Sequence, residues 1–287
     1  MKNDSLITQP YVNTFIKRRK QDIHKGDCGK VLIFAGSSGM SGAAVVCARA
    51  ALRAGAGLVR VSVPEELFPI LQIGVPEATC ITRERLLEDL MQYSAIAIGP
   101  GLGVEKQNGI LIRNILETTD KPVVLDADGL NLLRDNLDVM KNAKADLIIT
   151  PHPGEAARLL GRKTADINRD RLQSARELAA ATGAVTVLKG AGSVVATPDG
   201  ETYINTTGNP GMATGGSGDV LTGVITALSG QGLSTEPAAK AGTYLHGLAG
   251  DLAKDLMGEY GLIASDIASM VALAIKSTLD AREPMEK

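Results

Sequence analysis

Six short apolar runs recur along the chain: Val31–Ala35, Leu58–Val63, Ala95–Ile98, Val123–Leu125, Leu147–Thr150 and Thr186–Leu188. Several end in Gly, Asp, Thr-Pro or Lys-Gly, the composition expected where strands feed loops. Runs this short and this apolar suit strands covered by helices on both faces, the environment of a parallel sheet. Helical periodicity falls between or after them, over Ala43–Ala54, Val104–Leu116, Arg171–Ala180, Val220–Leu228, Ala238–Leu256 and Ile263–Leu279. Val194–Ala196 and Thr202–Asn205 flank Thr197-Pro198-Asp199-Gly200 and read as an antiparallel hairpin. The pattern predicts an α/β fold with a central, mostly parallel sheet flanked by helices on both faces. No Pro/Ser-rich linker, repeat or charge block divides residues 1–287, so a single domain is expected, with residues 1–24 as an N-terminal extension.

Such a sheet must be packed by aliphatic side chains, because the chain has no Trp, three Phe and five Tyr. Its 32 glycines imply many tight turns and close backbone approaches. Thirty basic and 32 acidic side chains leave a formal charge of −2, which offers no basic footprint for nucleic acid or an anionic membrane surface. No apolar segment reaches the roughly 18 residues of a membrane span. Cys28, Cys47 and Cys80 are odd in number and far apart, as expected of reduced thiols in the cytoplasm rather than a disulfide framework. The first ten residues lack the apolar centre of a signal peptide, and Lys17-Arg18-Arg19-Lys20 reads as a solvated helix face.

In open parallel sheets ligands bind beyond the carboxyl ends of the strands. The segments found there are Gly36–Ala43, Gly99-Pro100-Gly101-Leu102-Gly103, Asp126-Ala127-Asp128-Gly129-Leu130-Asn131, Thr150-Pro151-His152-Pro153-Gly154-Glu155 and Lys189-Gly190-Ala191-Gly192-Ser193. Any one could be an ordinary strand-to-helix turn; five in one sheet point to a site. A sixth, Gly208 to Asp219, has five glycines in twelve residues and runs into a helix. Small residues there let backbone N–H groups converge on an anion at the helix N-terminus, where the helix dipole also favours negative charge. Asp219 stands where that anion would land. A carboxylate in a first helical turn can simply complement the dipole; beside a phosphate cradle its functional explanation is a general base for an attacking hydroxyl.

Other chemistries do not match. Gly29-Lys30-Val31 lacks the P-loop spacing, no Gly-x-Ser-x-Gly elbow occurs, and Gly101-Leu102-Gly103 and Gly190-Ala191-Gly192 lack the third glycine of a dinucleotide fingerprint. His24, His152 and His246 lie far apart with no zinc-ligand pattern, and only His152 falls on a strand-end loop.

These loops, in this order, resemble the ribokinase-like superfamily and, more closely, its ADP/ATP-dependent NAD(P)H-hydrate dehydratases, from about Lys25 to Leu279. Ala50–Val59, with the Gly36–Ala43 loop, belongs to the signature, and the Thr150–Glu155 loop points to the dehydratase branch; Ser217 stands where the family more often has Thr and keeps the hydroxyl. The resemblance implies repair of hydrated NADH or NADPH, the S form, by phosphorylation of the ring hydroxyl and loss of phosphate. It implies that Asp219 takes the hydroxyl proton while Gly216, Ser217 and Gly218 stabilise the phosphoryl group. Lys189, Gly190, Ala191, Gly192, Ser193 and Gly218 would hold ADP or ATP, and Ala43, Gly103, His152 and Asp219 would line the hydrate site. Glu155 would organise Mg²⁺. It further implies a cytoplasmic homotetramer. With about 24 residues before the matching region, the epimerase of the same pathway is expected as a separate chain. Two rivals share parts of this pattern: a hydroxymethylpyrimidine- or hydroxyethylthiazole-type kinase that releases a stable phosphate ester, and an idle nucleotide-binding module.

Overall fold

Alternating apolar runs and helical segments fold into three layers in the computed structural model, which describes residues 5–88 and 90–281. The first four residues of the expected extension lie outside the described residues. The chain opens with β1 (Ser5–Ile7), α1 (Gln9–Val12), β2 (Lys30–Phe34), α2 (Ser41–Arg53), β3 (Leu58–Ser62), α3 (Phe68–Gly74) and β4 (Thr79–Ile81). It continues through β5 (Ala95–Ile98), α4 (Lys106–Thr118), β6 (Val123–Leu125), α5 (Ala127–Leu133), α6 (Asp138–Lys141), β7 (Leu147–Ile149), α7 (Pro153–Leu160), α8 (Thr164–Arg169) and α9 (Arg171–Thr182). The last part holds β8 (Val185–Leu188), β9 (Val194–Ala196), β10 (Thr202–Asn205), α10 (Ser217–Gly230), α11 (Thr235–Met257) and α12 (Ala264–Asp280).

The described strands form one ten-stranded sheet in the order β1-β10-β9-β8-β7-β6-β5-β2-β3-β4. Only β9 runs against the rest, pairing antiparallel with both β8 and β10, so the expected hairpin is present. Alternation along each strand assigns the two faces. Val31 and Ile33 of β2 join the core with α2, α10, α11 and α12, while Leu32 and Phe34 join the core with α4, α7 and α9. On β5 the same split places Ala95 and Ala97 under the first layer and Ile96 and Ile98 under the second.

Small residues let the first layer close tightly. A Cβ at Gly223 of α10 would lie 2.2 Å from the Cys47 carbonyl oxygen of α2, and one at Gly230 would lie 2.7 Å from Val31 Cγ1. The N-termini of α2 and α10 open on the side of the carboxyl ends of the central strands: Ala43 near the start of α2 meets Gly101 beyond β5, and Thr222 early in α10 reaches Asp126 beyond β6.

Three expectations are corrected. Residues 5–16 do not stand apart as an extension: β1 pairs with β10, and Ile7, Val12 and Ile16 are buried. Lys17–Lys20 is exposed but not helical; Arg18 pairs with Asp280 at 3.0 Å and Arg19 donates to the Gly55 carbonyl, contacts that follow tertiary neighbours rather than a helix face. All of Asp126–Asn131 but its first residue, and half of Thr150–Glu155, is helix, because Asp126 and His152 sit at the N-cap positions of α5 and α7. The strands β1 and β4 and the short helices α3, α6 and α8 carry too few residues for a periodic signal.

Candidate functional site

Four of the strand-end segments converge on one buried ion pair. Asp126, one residue beyond β6, is 1% exposed, and its Oδ1 lies 2.6 Å from Lys189 Nζ, one residue beyond β8. Its Oδ2 accepts from Thr222 Oγ1 of α10 at 2.8 Å. Glu155, in the first turn of α7, brings its Oε2 to 3.8 Å from the same Lys189 ammonium. Burial pulls the lysine toward neutrality, but Asp126 and Glu155 outweigh it and hold the charge. Ala127, next to Asp126, is the one described non-glycine residue with positive φ, at 48°. That left-handed backbone is a local strain held by the surrounding sheet.

Opposite this pair, α10 begins. Gly216 precedes it with φ 89°, a conformation suited to glycine. The N–H groups of Gly218 and Asp219 have no backbone acceptor among the described residues, as at any helix N-terminus, and face outward as donors. A Cβ at Gly218 would lie 3.1 Å from Lys189 Nζ, so the glycine allows the ammonium to sit directly beside these amides. Asp219 shares the same turn. Burial first, and then the neighbouring Asp126 charge, push its carboxyl up to about 7 despite the opposing pull of Lys189.

The remaining residues frame this centre. His152 caps α7: its Nδ1 accepts from the N–H groups of Gly154 at 2.9 Å and Glu155 at 3.4 Å, while its own N–H donates to Glu155 Oε2 at 2.8 Å. Its ring is held below the usual imidazole range by burial and then by Lys189. Burial raises the Glu155 carboxyl. The Gly103 N–H donates to Asp128 Oδ2 at 2.9 Å, and a Cβ at Gly101 would meet Ala43 Cβ at 2.9 Å, so the α2 N-terminus seats on the Gly99–Gly103 loop. Lys189 leads into the turn of Gly190, Ala191, Gly192 and Ser193, closed by Ser193 Oγ donating to the Gly190 carbonyl at 3.0 Å. Arg171 grips this turn through the carbonyls of Leu188 and Ala191.

Asp126, Lys189, Glu155, Gly218 and Asp219 therefore meet in one centre, with His152 attached through Glu155. Gly103 joins the Asp126 loop through Asp128, Ala43 packs on Gly101, and Gly190–Ser193 follows Lys189 directly in the chain. Sequence reasoning placed Asp126 in a loop without singling out its side chain. It set His246 aside as a histidine without a zinc-ligand pattern and passed over Asp251; both lie on α11 and their side chains reach the Gly208–Asp219 segment, with no local signal to mark them, because α11 also carries Glu236, Lys240, Thr243, Lys254 and Asp255. A separate cavity of about 940 Å³ lies at the far ends of α2 and α10, beside Arg19, Arg53 and Gln231, and shares no residue with this centre. Among the described residues no group of three or more His, Cys, Asp or Glu could cage a metal, and no helix is long and apolar enough to cross a membrane. Cys28, Cys47 and Cys80 are free thiols.

Residues 31–272 match the family model described as NAD(P)H-hydrate dehydratase. The chain is 44% identical to the ADP-dependent (S)-NAD(P)H-hydrate dehydratase of Neisseria meningitidis over 88% of its own length and 86% of the relative. It is 43% identical to the bifunctional NAD(P)H-hydrate repair enzyme of Moorella thermoacetica over 96% of its length, but spans only 54% of that relative. Among solved structures, the ADP/ATP-dependent NAD(P)H-hydrate dehydratase of Bacillus subtilis, co-crystallised with ATP/Mg²⁺, superimposes with a TM-score of 0.87 at 33% identity, covering 96% of this chain and 99% of that one. A hydroxyethylthiazole kinase of Pyrococcus horikoshii shares the fold at a TM-score of 0.61 and 14% identity, a likeness that speaks to architecture alone.

Proposed function

Because the chain belongs to the NAD(P)H-hydrate dehydratase family, with a ribokinase-like α/β fold, we propose that it returns the S form of hydrated NADH or NADPH to the intact cofactor at the expense of ADP or ATP. The observation that carries the reading is Asp219: a carboxyl poised near 7 in the same helical turn as open amides and beside a buried ammonium. That combination suits proton removal next to a phosphate, and little else explains an acid set against an anion site.

The hydroxyl on carbon 6 of the hydrated ring gives its proton to Asp219 as its oxygen attacks the terminal phosphorus of the nucleotide, and AMP (from ADP) or ADP (from ATP) departs. Lys189 and the amides at the start of α10 hold the phosphoryl oxygens as charge builds on them. Hydroxide is a poor leaving group, whereas phosphate leaves readily as the ring nitrogen lone pair pushes in. Loss of a proton from carbon 5 then restores the double bond. The Gly190–Ser193 turn holds the nucleotide; Ala43, Gly103 and His152 bound the hydrate.

Magnesium fits here as an ion carried by the nucleotide rather than caged by the protein. Mg²⁺ bound with phosphates needs only one or two carboxylates; Asp126 has both oxygens engaged by Lys189 and Thr222, whereas Glu155 has its Oε2 bound by the His152 N–H and would offer Oε1 to the ion. The ion would neutralise charge developing on the phosphates. The family resemblance further supports a cytoplasmic homotetramer working with an epimerase, and the three free thiols fit a reducing compartment.

The test is incubation with hydrated NADH, Mg²⁺ and either ADP or ATP. Reduced-nicotinamide absorbance should return only with nucleotide present, with one inorganic phosphate released per cofactor restored. Accumulation of a stable phosphorylated vitamin precursor, with no action on the hydrate, would instead identify the rival kinase.

A further inference from the structure

One helix holds both ends of the Gly208–Asp219 segment. At the near end, Asp251 of α11 accepts from the Gly208 N–H at 2.9 Å and from Asn209 Nδ2 at 2.9 Å. At the far end, His246 Nε2 lies 3.4 Å from Ser217 Oγ, in the first residue of α10. Between them α11 has no room for larger side chains: a Cβ at Gly247 would lie 2.2 Å from Thr207 Oγ1, and one at Gly250 would lie 2.2 Å from Met212 Sδ. The helix is thus pressed against the whole loop.

Ser217 does not cap its own helix, and among the described residues His246 is the partner of its hydroxyl. A serine hydroxyl left to rotate could turn its lone pairs toward an incoming anion, which would repel it. We propose that His246 is a positioning residue for the phosphoryl cradle, orienting the Ser217 hydroxyl so that its proton points at the transferring phosphoryl group. This inference rests on the reading of the preceding subsection. In the arrangement, His246 Nε2–H donates to Ser217 Oγ and Ser217 O–H donates to a phosphoryl oxygen; no proton changes owner and no bond to carbon or phosphorus is altered. The imidazole suits the role because burial lowers its pKa to about 4, so it stays neutral and adds direction rather than charge.

The experiment compares full-length wild type, Ser217→Ala, His246→Leu, the double variant and His246→Gln in hydrate repair with ADP and Mg²⁺. Each of the first two single variants should lose about tenfold or more in kcat, with the KM for ADP little changed. The double variant should be no worse than the poorer single, since both remove one donor. His246→Gln, which presents an amide N–H near the place of Nε2, should recover most of the loss. Independent, multiplying losses in the double variant, or normal kcat in Ser217→Ala, would overturn the inference while leaving the reaction intact. A wild type without hydrate repair would overturn the reading and the inference with it.

Discussion

At position 219 the carboxylate is held against its surroundings. Burial and the Asp126 charge favour the protonated acid, and Lys189 offsets them only in part, so the folded-state pKa stands near 7 against an ordinary value of 3.8. A carboxyl whose folded pKa is raised binds its proton more tightly in the native state. The stability tied to it is therefore full below the unfolded value and falls as pH rises through 7. Asp219→Asn should raise stability at pH 8 by on the order of 1–3 kcal/mol, with little effect at pH 4, as thermal melts at the two pH values will show. The same variant should lose roughly 10²- to 10⁴-fold in kcat, and wild-type kcat/KM should rise through an ionisation near 7. A variant less stable at pH 8 yet active would reduce Asp219 to a dipole partner, for which the sequence alone suggested a stabilising contribution of about 0.3–1 kcal/mol. Gly192 illustrates the converse limit: at φ 59° a Val there is strained whatever the turn binds, so its effect on nucleotide affinity would not isolate the ligand contact.

Among the elements, the pairing of α2 with α10 decides where the site's backbone donors lie. Gly223 sits against the Cys47 carbonyl with no space for a methyl group, and the adjacent Thr222 reaches Asp126 from the same turn. Gly223→Ala would force the two helices apart by backbone movement, because the obstructing atom is a main-chain oxygen. We expect a stability loss of about 1–3 kcal/mol, typical of overpacking, together with a higher KM for nucleotide as the α10 N-terminus shifts. Denaturant melts and steady-state kinetics on the one variant check both; an unaffected protein would mean that the interface is looser than its geometry indicates.

Across the whole molecule, the N-terminal segment completes the sheet. Ile7, Val12 and Ile16 are buried, Tyr11 hydrogen-bonds the buried Lys240 at 2.9 Å, and Lys240 lies over the Tyr203 ring. Removing residues 1–16 would expose the edge of β10 and leave the ammonium without its Tyr11 partner. At about 1.5–3 kcal/mol for each buried aliphatic side chain, the deletion should cost several kcal/mol, seen as a lower melting temperature. An uncovered strand edge also invites self-association, which size-exclusion chromatography will detect. A deletion that melts as the full chain does would return these residues to the status of an extension.

Short continuous apolar runs, period-3.6 patterning and turn residues made the central strands, the long helices and the β9–β10 hairpin legible from the chain alone, because those signals are local. The Gly-rich segment ending at Asp219 and the loops carrying His152 and Lys189 were legible for a related reason: strand ends, glycines and prolines mark backbone geometry before any packing is known. Other features depended on contacts between residues far apart in sequence. Asp126 and Lys189 are 63 positions apart and Ser217 and His246 are 29 apart, so neither contact has a local signature. The pKa of Asp219 likewise comes from burial and from Asp126 across the sheet. Chain-local chemistry thus named the donors and the acid, whereas tertiary packing decided their charge states and which side chains hold them in place.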